Sequence, residues 1–152
     1  MNVTLAPVDG RTLDDFVALF DEYRRELDAY SPSGRDTLPI ERYRDALRRD
    51  PEGQELLWIE ADGARAGFLL LRRFEDWPDS SRTVVDIAEC YVIPPYRRRG
   101  VGRAAIEALL ARERARETAL IEASVLPRNQ TALAFWEALG FTAHSIRTAR
   151  QP

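Results

Sequence analysis

Lysine is absent from this 152-residue chain: all 22 of its basic residues are arginine. That excludes a lysine Schiff base, a pyridoxal attachment and a P-loop lysine on a nucleotide phosphate. Cysteine and histidine occur once each, as Cys90 and His144. A single cysteine closes no internal disulfide, and one cysteine with one histidine make a poor zinc set, so no metal is expected. Long apolar runs are missing too: nothing approaches the ~20 residues of a membrane span. Val3 to Val8 is too short for the apolar stretch of a leader and runs straight into Asp9 and Arg11. The expected location is cytoplasmic, with no membrane partner. No repeat, low-complexity tract or linker interrupts the chain, so residues 1–152 read as a single domain. The formal net charge of −3 speaks against a nucleic-acid partner, which calls for a surface basic overall or along one face.

What is present is an alternation of helical and strand patterns. Val3 to Pro7 reads as a strand. Thr12-Leu13-Asp14-Asp15 reads as a helix start with Thr12 as N-cap, and Leu13, Phe16, Val17, Phe20 and Leu27 recur at helical spacing to about Ala29. Ser31-Pro32-Ser33-Gly34 breaks that helix, and a shorter one runs from Ile40 to Arg49. Leu56 to Ala61 and Ala64 to Phe74 are strands joined at Asp62-Gly63, a tight hairpin signal. Thr83 to Ile93 is a long β-branched strand that carries Asp86 and Glu89. A helix follows to about Glu117, then a strand at Ala119 to Val125, a helix at Asn129 to Leu139 closed by Gly140, and a last strand at Phe141 to Thr148. The order β-α-α-β-β-β-α-β-α-β is a mixed α/β class, and residues 83–125 form a βαβ unit with two roughly parallel strands.

The sharpest local signal is the end of the long strand at Ile93, followed by Pro94-Pro95-Tyr96 and then Arg97-Arg98-Arg99-Gly100-Val101-Gly102 opening a helix. A helix N-terminus carries unpaired N–H groups and a partial positive charge, so it attracts phosphate. Gly100 and Gly102 remove side chains where backbone must approach an anion, and the arginines add charge-assisted donors. A solvated basic helix start has the same composition. Among phosphate loops, a dinucleotide fingerprint asks for a third glycine where Ala105 stands, near the chain start.

A second motif narrows the ligand. Asn129, Ala132, Phe135, Leu139, Gly140 and Phe141 stand at the spacing of a pattern that follows an R-x-x-G-x-G loop, here Arg97 to Gly102, in one family. Over nearly its whole length the chain resembles the GNAT family of N-acetyltransferases, with the first ~75 residues the least diagnostic. The resemblance implies a central, twisted, mostly antiparallel sheet of about six or seven strands, with a splayed parallel pair in its middle and about four helices. It also implies acetyl-CoA as co-substrate, a small-molecule amine as acceptor, and a homodimer as the assembly. In such a fold Tyr91 and Val92 would offer backbone hydrogen bonds to the pantetheine arm. Arg97, Arg98, Arg99, Gly100, Val101, Gly102 and Arg103 would line the diphosphate, and Asn129, Ala132 and Phe135 would flank the pantetheine and thiol.

The chemistry is direct attack of a neutral amine on a thioester, so a base must take the proton of an amine that is mostly ammonium near pH 7. Glu89 is the first candidate and Asp86 the second. Strand alternation puts the two on opposite faces, so one of them faces the acceptor. Both also fit as strand residues paired with an arginine or with solvent. The family's usual proton donor to the leaving thiolate is a tyrosine where this chain has Trp136, whose indole N–H is no useful acid. That departure leaves Tyr91, another hydroxyl, water or an unassisted thiolate, and it keeps open a non-catalytic acyl-CoA-binding sensor of the same fold. Cys90 beside the site invites an acyl-enzyme, but no histidine lies near in sequence to activate it. Glu22, Glu26, Asp28, Asp36, Glu75, Asp76 and Asp79 give the acceptor region, Asp28 to Leu38 and Glu75 to Ser81, an acidic cast that suits a cationic amine, diluted by neighbouring arginines.

Overall fold

The structure is a computed structural model and describes residues 1–31 and 38–152. Its elements are β1 (Val3–Pro7), α1 (Leu13–Leu27), α2 (Ile40–Arg48), β2 (Gln54–Ala61), β3 (Ala64–Asp76), β4 (Asp79–Val92), α3 (Val101–Ala115), β5 (Leu120–Ala123) and α4 (Gln130–Ala138), with 3₁₀ turns at Asp28–Tyr30 and Pro94–Tyr96. The five strands form one sheet in sequence order, β1-β2-β3-β4-β5. The first three junctions are antiparallel and β4 to β5 is parallel. The expected α/β class, parallel pair and four helices are all there.

Two apolar layers cover the sheet. On one face Phe16, Val17, Phe20 and Leu47 of α1 and α2 pack on Trp58, Phe68, Leu70 and Tyr91. On the other, Val101, Ala105, Ile106 and Leu109 of α3, with Trp136 of α4, pack on Leu57, Ile59, Leu69, Leu71, Val85 and Ile87. Because both faces are covered, β3 is buried without interruption from Ala66 to Leu71. The β2–β3 hairpin turns at Asp62 and Gly63, both at positive φ, as a two-residue primed turn requires.

The last strand expected at Phe141 to Thr148 does not form, so among the described residues the sheet has five strands and β5 is an edge. The segment has little to bury, and Ile146, its central apolar residue, is 91% exposed. Phe141 packs on the α3-side core, and His144 Nε2 lies 3.2 Å from Glu122 Oε2 of β5. Thr12, expected to cap α1, makes no side-chain cap bond. Asp9 accepts from the Arg11 and Thr12 amides instead, and the Thr12 hydroxyl accepts from the Trp58 indole.

Candidate active site

The β4–β5 ladder is short: Val84 pairs with Leu120 and the register ends at Ile87 with Ala123. Past that point β4 continues to Val92 with β3 as its partner, so the two parallel strands part. Ile93 N–H donates to the Ala66 carbonyl. Strand alternation therefore turns the Val92 N–H and C=O away from β3, toward the gap. The Val92 carbonyl is taken there by Arg97 Nε at 2.7 Å. Tyr91 is turned the other way: its carbonyl faces β3 so closely that a Cβ on Gly67 would run into it. Of the two backbone donors expected at the gap, the geometry supplies Val92.

The loop entering α3 has the form of an anion nest. Arg98 and Gly100 both have positive φ, 61° and 82°. No side chain caps α3, and its first backbone bond is Ala104 N–H to the Gly100 carbonyl. The amides of Arg98 to Arg103 thus find no backbone acceptor among the described residues. Gly102 is tight: a Cβ there would lie 3.3 Å from the Phe135 ring and 3.6 Å from Val92 Cγ2. The α3 start, α4 and the end of β4 meet at that point, and the glycine lets them.

The arginines divide. Arg97 is turned toward α1, with NH2 on Glu26 at 2.7 Å and its guanidinium 5.2 Å from the centre of the Tyr91 ring. Arg99 leans on Tyr96, and Arg103 reaches Glu107 and the Ala138 carbonyl. Arg98 makes no hydrogen bond or ion pair among the described residues and is the guanidinium left for an anion at the nest. Asn129 caps α4, its Oδ1 accepting from Ala132 N–H at 3.1 Å, so the residue that opens the second motif positions its helix. Ala132 and Phe135 pack against the α3-side core beside it.

Asp86 and Glu89 share a face, contrary to the opposite faces expected from alternation. On β3, Leu70 and Leu71 are consecutive, but their partners are Glu89 and Ile87, so Ala88 is an extra residue in β4. This β-bulge reverses the parity of the strand beyond it. Asp86 opposite Arg72 and Glu89 opposite Leu70 consequently both face α1 and α2. They differ in position along the gap. Asp86 is still inside the ladder, across from Glu122, whereas Glu89 lies past its end. Burial, with a smaller contribution from Glu122, pushes the Asp86 carboxyl up against the opposing pull of Arg72. Glu89 Oε2 accepts from the Tyr23 hydroxyl of α1 at 2.6 Å, a partner that helix periodicity alone does not single out from a core tyrosine.

The remaining candidates are packing residues. Burial, then the Glu89 charge, pushes the Cys90 thiol up to about 12, and its side chain lies against the α3-side core, so no thiolate is on hand at neutral pH. Trp136 is 8% exposed, edge-on to Phe135 and Phe141. Tyr91 packs on Tyr23 and Phe68, and burial followed by Glu26 raises its phenol, which stays protonated. Of the acids at the acceptor side, Glu26, Asp76 and Asp79 are engaged by Arg97, Arg82 and Ser81. Glu22, Asp28 and Glu75 carry no ion pair among the described residues. Asp36 lies outside the described residues.

A splayed parallel pair, an amide nest at a helix start and a carboxylate past the splay meet in one place. The family model of the acetyltransferase (GNAT) family matches residues 16–141. The chain belongs to that family. An N-acetyltransferase of Methanocaldococcus jannaschii, itself uncharacterised, is 28% identical over 145 residues. That match takes in 94% of the present chain, which spans 62% of the relative's length. Among solved structures, a ribosomal-protein-alanine N-acetyltransferase of Brucella melitensis superposes with a TM-score of 0.76 at 19% identity, covering 99% of both chains. An aminoglycoside N-acetyltransferase in complex with CoA gives 0.73 at 19% identity, covering 99% of this chain and 95% of that one. A transcriptional regulator of Bacillus halodurans gives 0.74 at 18% identity, covering 99% of both. At these identities the GNAT-family chain shares a fold with all three.

Proposed function

We propose that this GNAT-family chain is an acetyl-CoA-dependent N-acetyltransferase acting on a small, cationic amine. The observation that carries the reading is the run of unengaged amides from Arg98 to Arg103 beside the opening between β4 and β5. Their backbone conformation, the Arg98 guanidinium that is unengaged among the described residues, and the positive end of α3 suit a diphosphate. Acetyl-CoA brings an activated thioester, and Val92 N–H is the donor that would polarise its carbonyl. Glu89 is the base. It accepts the proton that the amine loses as its nitrogen bonds the acyl carbon, while the C–S bond breaks and coenzyme A leaves. Asp86 sits down the closed part of the ladder, paired across from Glu122 and two β3 positions, about 7 Å, below Glu89.

Thermal shift with acetyl-CoA, CoA, NAD and ATP tests the reading. At a hundred times its dissociation constant, acetyl-CoA should add about 2.7 kcal/mol of stability. No shift with acetyl-CoA beside a clear one with NAD or ATP overturns it. Trp136, in the core with no hydroxyl to offer a thiolate, favours a second reading, an acyl-CoA-binding regulatory module. Thiol release from acetyl-CoA across a panel of primary amines separates the two: binding without turnover on any amine favours the module.

A further inference from the structure

Helix α1 reaches the site at two points that the chemistry above leaves without a role. Tyr23 and Glu26 lie three residues apart, on one face of the helix. Tyr23 donates its hydroxyl to Glu89 Oε2, and Glu26 accepts from Arg97, whose Nε holds the Val92 carbonyl. The Tyr23 ring is fixed on three sides, with centroids 6.0 Å from Phe20, 5.6 Å from Phe68 and 5.4 Å from Tyr91. Its hydroxyl therefore has little freedom to leave the carboxylate.

We propose that Tyr23 is the positioning residue for the base, holding the Glu89 carboxylate in one orientation and favouring its ionised form. The inference rests on reading Glu89 as the base. A neutral donor bonded to a carboxylate stabilises the charged form over the protonated one. Burial, and then the charge of Glu89, push the Tyr23 phenol above its ordinary value, so it remains a donor across the working pH range and never competes for the amine proton. Among the described residues, Glu26 of α1 and Cys90 of β4 act on Tyr23 electrostatically, and Glu22, Glu26 and Arg97 act on the adjacent Tyr91. On β3 the residue opposite Glu89 is the apolar Leu70. Tyr23 is bonded to the carboxylate by a neutral hydroxyl, so its removal is felt as a change in proton affinity.

The test is the titration of Glu89 in the full chain, followed by ¹³C NMR of glutamate carboxyl carbons, its signal assigned by loss in Glu89→Gln. Tyr23→Phe keeps the ring and should raise the midpoint by about one pH unit. The acid limb of kcat/KM should move up with it, while the acetyl-CoA thermal shift stays. Phe20→Leu removes a ring that steadies Tyr23 but leaves the hydroxyl; it should lower stability without moving the midpoint. An unmoved midpoint in Tyr23→Phe overturns the inference, as does an equal rise in Phe20→Leu. A separate outcome concerns the base itself. If Glu89→Gln turns over amines at the normal rate, the base reading fails whatever Tyr23 does to the titration.

Discussion

Gly100 and Gly140 allow a controlled test of the anion nest. Their φ angles are 82° and 86°, and a Cβ at either would meet nothing within 4 Å. Replacing each by alanine therefore imposes the same conformational strain with no clash, about 1 kcal/mol, or a fall in Tm of roughly 3 °C for a chain of this size. The two differ in what the strained backbone carries. Gly140 ends α4, where its amide and the next serve Glu137 and Trp136. Gly100 precedes α3, where the amides of residues 98–103 have no backbone acceptor among the described residues. If Gly100→Ala relaxes by swinging one amide off the diphosphate, it loses one charge-assisted hydrogen bond, about 1.5 kcal/mol at the low end, or roughly tenfold in affinity. Acetyl-CoA at a hundred times the parent dissociation constant would then stabilise the variant by about 1.4 rather than 2.7 kcal/mol. Gly100→Glu adds a carboxylate near a doubly charged group, about 1.7 kcal/mol more at ~5 Å in water, which brings the shift to roughly 1 °C. Differential scanning fluorimetry with and without acetyl-CoA reads all three variants. Gly100→Ala keeping the full shift, or Gly140→Ala losing as much of it, would refute the assignment of these amides to the ligand.

Glu89→Gln should lower turnover on the order of 10²–10⁴-fold while leaving the acetyl-CoA thermal shift intact, and Asp86→Asn should cost far less; steady-state thiol release measures both. Cys90→Ala should turn over like the parent, since a thiol held near pKa 12 supplies no nucleophile; loss of activity with retained stability would restore the acyl-enzyme. Glu113 is wholly buried and bonded by Arg73 at 2.6 Å, Thr118 at 2.7 Å and Arg112 at 3.0 Å, so Glu113→Gln should cost about 3 kcal/mol in urea unfolding near pH 7. Burial works to raise the Glu113 carboxyl, but Thr118, Arg73 and Arg112 together hold it below its ordinary value. Its stabilisation is therefore complete above the unfolded-state pKa and disappears as pH falls through the lower folded one, so parent and variant should converge in acid; a gap that persists there would count against the network.

By itself the sequence determined the order of the first nine elements, the hairpin at Asp62-Gly63, the arginine-glycine loop and the Asn129 to Phe141 motif, because each is written in consecutive residues whose local physics is self-contained. Turn glycines, helix periodicity and a strand-to-helix junction need no distant partner to be recognised. The tertiary structure decided what depends on registration between segments. The bulge at Ala88 is visible only against Leu70 and Leu71 of β3, and it turns Asp86 and Glu89 to one face where alternation set them on two. The bond from Tyr23 to Glu89 spans 66 positions, so no local pattern could distinguish that tyrosine from its aromatic neighbours in the core. Arg97 likewise fits a phosphate ligand in sequence, and only the tertiary structure brings Glu26 and the Val92 carbonyl to its guanidinium. The final strand failed for the complementary reason: Phe141 to Thr148 has only Phe141, Ala143 and Ile146 as apolar residues, not all on one face of a strand, and Ile146 is left exposed.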